Sequence, residues 1–253
     1  MRTSEATREA GAAIGEFGGV FMLHPQTFAG SVAAGYANPL AGYVAGRGGV
    51  LGEATGATVA SIFAIFEPGM TASLWDEGVA VRGAAGAAEV YWNQLAEFAR
   101  TYLGDAEGLA RIAELGEKII AATPGPGLPM YVGWRSMPLA GPGNADAPAR
   151  AAQVMFVLRE LRGDVHLNLL SASGVSPVEA HMLGHDESYT RMFGWSEPFP
   201  DGADKKDRYA EVEEATNRRM TEIFRAALSD DEIDELARLS TSALAALKAA
   251  LPA

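Results

Sequence analysis

LRELRGDVHLNLLSASGVSPVEAHMLGHDE, residues 158–187, holds three of the four histidines of this 253-residue chain. It reads as a helical segment, a short glycine turn and a second helix. Ser176-Pro177-Val178-Glu179 is a capping box with proline at the first helical position, so the serine oxygen and the glutamate carboxylate can satisfy amides that the first turn leaves unpaired. Ser229-Asp230-Asp231-Glu232 repeats the signature. Working outward from this stretch, helical spacing predicts helices over 4–16, 26–46, 54–66, 69–80, 84–103, 106–122, 147–162, 164–173, 177–185, 205–227 and 230–250. Nowhere do apolar and polar residues alternate long enough to require a strand. The expected class is all-α.

Composition narrows the functional classes. Hydrophobic residues make up 48% and charged residues 21%, a globular balance with material for a sizeable core. Cysteine is absent, which removes disulfides, thiolate metal sites and cysteine nucleophiles. No run of about 18 apolar residues escapes interruption, and the N-terminal residues MRTSEATREAGAA lack an apolar signal core, so the expectation is a cytoplasmic protein that does not span a membrane. The net charge is −12, from 32 acidic and 20 basic residues. Phosphate backbones repel such a surface unless a local basic patch overrides the total.

Six of the thirteen prolines fall between Pro124 and Pro148. Met130, Tyr131, Val132, Trp134, Met137 and Leu139 are too apolar for a free linker, so this is read as a connection packed onto the body, with one helical turn around 129–135. It divides the chain into an N-terminal helical unit, 1–123, the connection, 124–148, and a C-terminal unit, 149–253. An internal echo agrees with two units. Segments 46–66 and 161–183 each place Arg-Gly before a helix and a glycine turn, with Arg47 matched to Arg162 and Gly56 to Gly174. The last two helices are amphipathic, with apolar faces that suit either the chain's own core or a homodimer interface.

Three segments carry a family resemblance: GYVAGRGGVLGEATGATVASIFAIFEPGM, LRELRGDVHLNLL, and EVEEATNRRM with its leucine-spaced tail. Together they resemble the SalK-type helix-turn-helix family of actinobacteria, over nearly the whole chain. The resemblance implies tandem, degenerate winged-helix units akin to MarR-type regulators. Three departures stand out. Gly18 falls where the family tends to have histidine, and Ala152-Gln153 where it tends to have Trp-His. After Gly194-Trp195-Ser196, the segment EPFPDGADKKDRY is too short for the family's further helix and wing.

The candidate reading element argues against DNA. From Gly163 through Thr190 there is no lysine or arginine, whereas Asp164, Glu179, Asp186 and Glu187 are present. His181 and His185 lie one turn apart, with His166 on the helix before; such spacing could bind a metal with Asp164 or Glu179, but HxxxH without a flanking glutamate lacks the zinc-hydrolase pattern, so hydrogen-bonded structural histidines are the stronger reading and no metal site is assigned. In Arg162-Gly163-Asp164, glycine is expected to end one helix, Asp164 to cap the next, and Arg162 to pair with an acid. The remaining feature is a cavity among abundant aromatics, with His24, Tyr43, Arg47, Trp134, Arg162, Asp164 and His166 as candidate ligand-binding residues. The leading expectation is therefore a protein that binds a small apolar or aromatic molecule on a winged-helix-derived scaffold. Second comes an enzyme of specialised metabolism using His166 or His181 as acid and base, since imidazole titrates near neutrality. A MarR-like transcriptional regulator is third. The sequence specifies no cofactor.

Overall fold

A computed structural model describes residues 2–104, 106–141 and 145–252. Residues 142–144 of the proline-rich connection lie outside the described residues. Twelve α-helices occur among those described: α1 (Arg2–Leu23), α2 (Pro25–Ala33), α3 (Pro39–Gly48), α4 (Gly56–Phe63), α5 (Pro68–Tyr102), α6 (Leu109–Ala122), α7 (Pro129–Arg135), α8 (Ala147–Ser173), α9 (Pro177–Gly184), α10 (Glu187–Met192), α11 (Lys206–Ala227) and α12 (Asp230–Ala250). No strand occurs among the described residues, so the expected all-α class is borne out.

Local chemistry accounts for most boundaries. Both capping boxes form, Ser176 with Glu179 and Ser229 with Glu232. Side chains also cap α2 (His24), α3 (Asn38), α4 (Thr55), α5 (Glu67) and α10 (Asp186), each accepting from amides of the first turn. The helix expected over 26–46 is two helices: Gly35 at φ 99° ends the first, and Asn38-Pro39 starts the second. The break expected after residue 80 falls at Gly83, whose φ of 69° kinks α5.

The break expected at Gly163 does not occur. Helix α8 runs unbroken through Arg162-Gly163-Asp164, because packing decides where propensity is weak. All eight residues from Ala151 to Leu158 are buried, and α1, α5, α6, α7 and α11 surround the helix. A helix buried on every side is an interior element rather than an amphipathic surface one. Asp164 does not cap its own helix. Its carboxylate accepts from the Tyr131 amide at 2.9 Å, in the first turn of α7.

That contact helps seat the connection. Helix α7 is the helical turn expected around 129–135, and Trp134 stacks on Trp92 with centroids 5.1 Å apart. The Trp92 indole donates to the Pro138 carbonyl, and Gln153 accepts from the Ala140 amide. The matched glycines of the internal echo serve different ends. Gly174 adopts φ 76° to end α8, whereas Gly56 lies within α4, where a Cβ would meet the Ala72 carbonyl at 2.8 Å.

The apolar stripes of the last two helices face the chain's own core. Helix α11 packs on α8, α1 and α6, and α12 on α1 and α6. Ile233, Leu236 and Leu247 are fully buried there. No described helix is long and apolar enough to cross a membrane.

Candidate ligand cavity

Glu160 and Asp164 are acids one turn apart on the buried helix α8, and charge in such a place needs partners. Glu160 finds two. Arg47, in the last turn of α3, donates Nε and Nη2 to its two carboxylate oxygens at 3.3 and 2.9 Å, and Arg159 donates Nη1 at 2.6 Å. Burial pushes the Glu160 carboxyl up, but the two guanidiniums outweigh it and hold it below the usual carboxylate range. The forked donor geometry of arginine suits this bidentate arrangement. Gly18, where the resemblance expects histidine, gives Arg159 room across α1: a Cβ there would sit 2.3 Å from its Cδ.

Beside this cluster opens a cavity of about 210 Å³. Helix α1 supplies Gly11, Ile14 and Gly15; α3 supplies Arg47; α8 supplies Arg159, Arg162, Gly163 and His166; Met220 and Phe224 of α11 close it. Two of the glycines have no packing reason to be glycine. A Cβ at Gly15 or Gly163 would meet nothing within 4 Å, in helix interiors where glycine costs about 1 kcal/mol relative to alanine. Their missing side chains keep the cavity open.

His166 sits on the wall with Nδ1 3.3 Å from Glu213 and 3.4 Å from the Thr216 hydroxyl, while Arg162 donates to Glu213 at 3.1 Å. Burial lowers the pKa of His166 and the Arg162 charge adds to this; Glu213 opposes without prevailing, so the imidazole is neutral at pH 7. A second, more apolar cavity of about 150 Å³ adjoins the first and shares Arg47, Ile65 and Arg159 with it. Tyr43, Met22, Phe66, Met70 and Phe193 are among its lining residues.

The structure thus gathers Arg47, Arg162 and His166 around one cavity and places Tyr43 on its neighbour. It does not bring the others there. His24 caps α2 and packs edge-on against Phe98 and Tyr102. Trp134 lies in the aromatic core with Trp92 and Phe156. Asp164 holds α7, and burial raises its pKa to about 7. His181 is buried, stacked on Phe193, with Nε2 2.7 Å from the Ile65 carbonyl; that oxygen only accepts, so Nε2 carries the proton. His185 stacks on Tyr189. Among the described residues no three His, Cys, Asp or Glu side chains are grouped to hold a metal.

Sequence reasoning missed Arg159 and Glu160. Their signal was available as a charged pair closing the apolar run that precedes them, but charge pattern alone does not say which partner a buried acid will meet.

The helix-turn-helix geometry itself is turned inward. In α9, which follows the glycine turn after α8, only Gly184 is exposed, and in α4, which follows α3, only Ala57, Thr58 and Ser61 are. Two of the nearby cations are engaged: Lys205 binds both oxygens of Glu179 at 2.7 Å, and Arg208 donates to the Ser173 carbonyl, while Lys206 is exposed at the start of α11. Compared with known families, residues 7–252 match one described as a helix-turn-helix family. No curated protein and no solved structure matches the chain.

Proposed function

The chain belongs to that helix-turn-helix family, and from this premise we propose that it is a small-molecule-binding member, of SalK-type and MarR-like descent, that has left DNA reading behind. One observation carries the proposal: a cavity kept open by helix glycines that packing does not require, with Arg47, Arg162 and His166 on its wall. Evolution tolerates glycine in a helix interior where function needs the space. Tyr43 belongs to the same site through the adjoining cavity, and His181 stacks on its lining residue Phe193. The occupant is a small apolar or aromatic molecule.

The absence of a reading surface supports the loss of DNA binding. Bases are read by exposed polar and cationic side chains on the second helix; neither α4 nor α9 exposes a cation, and the only polar side chains exposed between them are Thr58 and Ser61 of α4. The family is nonetheless a DNA-binding type of scaffold, so the regulator reading has its own test. At low salt, gel shifts against random and selected duplexes should show no sequence-selective complex; a selective one would make the chain a regulator.

A second reading, an enzyme, is favoured by His166 alone: a neutral imidazole on a cavity wall, oriented by Glu213 and Thr216, is placed to accept a proton. Calorimetry separates binding from no binding. Naphthol or octanol should bind saturably at one site, and the double change Gly15→Leu with Gly19→Leu, which adds a side chain to each cavity at a position where a Cβ meets nothing within 4 Å, should abolish it. Failure of these neutral probes and of charged octyl analogues alike to bind, or binding untouched by the double change, overturns the proposal.

A further inference from the structure

The two cavities meet at a charged partition. Arg47, Ile65 and Arg159 line both; the larger holds Arg162 and His166 in addition, and the smaller is walled chiefly by Met, Leu and Phe side chains. Counting charge at this partition gives three guanidiniums, Arg47, Arg159 and Arg162, against two carboxylates, Glu160 and Glu213. Asp164, one turn from Glu160, is taken up by the Tyr131 amide, so in a chain whose net charge is −12 these pairs leave one guanidinium without a carboxylate of its own at a partly buried site. It is that of Arg159. Arg47 spends two donors on Glu160, whereas Arg159 uses Nη1 alone and has no other hydrogen-bond partner among the described residues.

Helix α1 runs past both cavities and presents a glycine with open space over it to each. Gly15 lines the first, Gly19 lies one turn on in the second, and a Cβ at either would meet nothing within 4 Å. Between them, Arg159 packs across α1 over Gly18, so this side chain stands where the two cavities meet. Together the cavities reach the lower end of the ~300–1,000 Å³ range of small-molecule sites.

Resting on the small-molecule reading above, we infer that the occupant is a monocarboxylate with an extended apolar tail, its head on the free donors of Arg159 and its tail in the smaller cavity. A neutral molecule leaves the surplus guanidinium without a counter-charge in a partly desolvated place. A cation adds repulsion, and a dianion overshoots the single surplus charge. A carboxylate supplies charge-assisted acceptors in the planar form that a guanidinium fork matches.

The test uses the full chain and three probes of matched chain length and compact head, octanoate, octanol and octylammonium, titrated by calorimetry at low salt. Octanoate should bind at least about tenfold more tightly than octanol, and the ammonium should not bind. Arg159→Met, which leaves the Arg47–Glu160 pair intact, should bring octanoate down to the affinity of octanol. Gly19→Leu should weaken octanoate and octanol alike while leaving the fold intact by circular dichroism. Octanol binding as tightly as octanoate overturns the carboxylate assignment and leaves the small-molecule reading standing. A preference for octanoate that survives Arg159→Met, or tail binding indifferent to Gly19→Leu, overturns the placement. No binding by any of the three overturns both readings together.

Discussion

At the scale of single residues, the structure concentrates its electrostatic risk on α8. Glu160 joins two arginines, one of them 113 residues away in sequence. Removing only the acid leaves Arg47 buried and unpaired, a situation that costs about 3–5 kcal/mol. Glu160→Ala should show that loss in its urea midpoint, whereas Arg159→Met should lose far less because Arg47 still satisfies the acid. Asp164 behaves in the opposite sense. Its ordinary pKa of 3.8 rises to about 7, chiefly because burial disfavours the anion despite the amides it accepts from. Between those values the folded form holds a proton that the unfolded chain has released, so stability falls as pH rises from about 4 to about 7 and levels off above. Asp164→Asn, which cannot ionise, should flatten that part of the profile when unfolding is measured from pH 4 to 8; an unchanged slope would place its cause elsewhere. His181, lowered mainly by burial, acts the other way. The unfolded chain takes up a proton first, so its contribution is present above about pH 6.5 and is lost as pH falls.

At the scale of elements, helix ends obeyed local rules and one helix interior did not. Ser176, Ser229 and the break at Gly83 were legible because a cap or a positive φ is decided within a few residues. Ser229→Ala should cost about 1 kcal/mol, read as a lower melting temperature. Gly174 holds φ 76° at the end of α8, and Gly174→Ala should cost a comparable ~1 kcal/mol. Gly15 and Gly163 should respond with the reverse sign. Each is a helical glycine with open space over it, so alanine should stabilise the fold by about 0.4–1 kcal/mol. The same changes narrow the cavity. A gain in stability paired with weaker ligand binding would mark these glycines as functional, and a loss in stability would show that they are structural after all.

At the scale of the whole molecule, one main core joins residues from Ala6 on α1 to Leu247 on α12, and α8 is its axis. The two terminal helices complete that core, so their apolar faces are covered by the same chain. Leu236→Ala or Leu247→Ala, at fully buried positions, should each cost about 2–5 kcal/mol. Because the core is shared, tryptophan fluorescence and far-ultraviolet circular dichroism should report one coincident urea transition. Two separated transitions would show that the halves fold apart.

Helical class, capping sites, amphipathic C-terminal helices and the lack of cations from Gly163 to Thr190 were set by the sequence itself, since each depends on neighbours a few positions apart. The same locality made Arg47, Arg162 and His166 visible as polar residues among apolar ones. Which of them would meet was decided by tertiary packing. The middle of one helix had to be packed among its neighbours before Glu160 required Arg47, Gly163 could remain helical, and Asp164 could reach the first turn of a different helix. A buried charge is satisfied by whatever the fold brings within about 3 Å, and that distance is not written in the order of the residues.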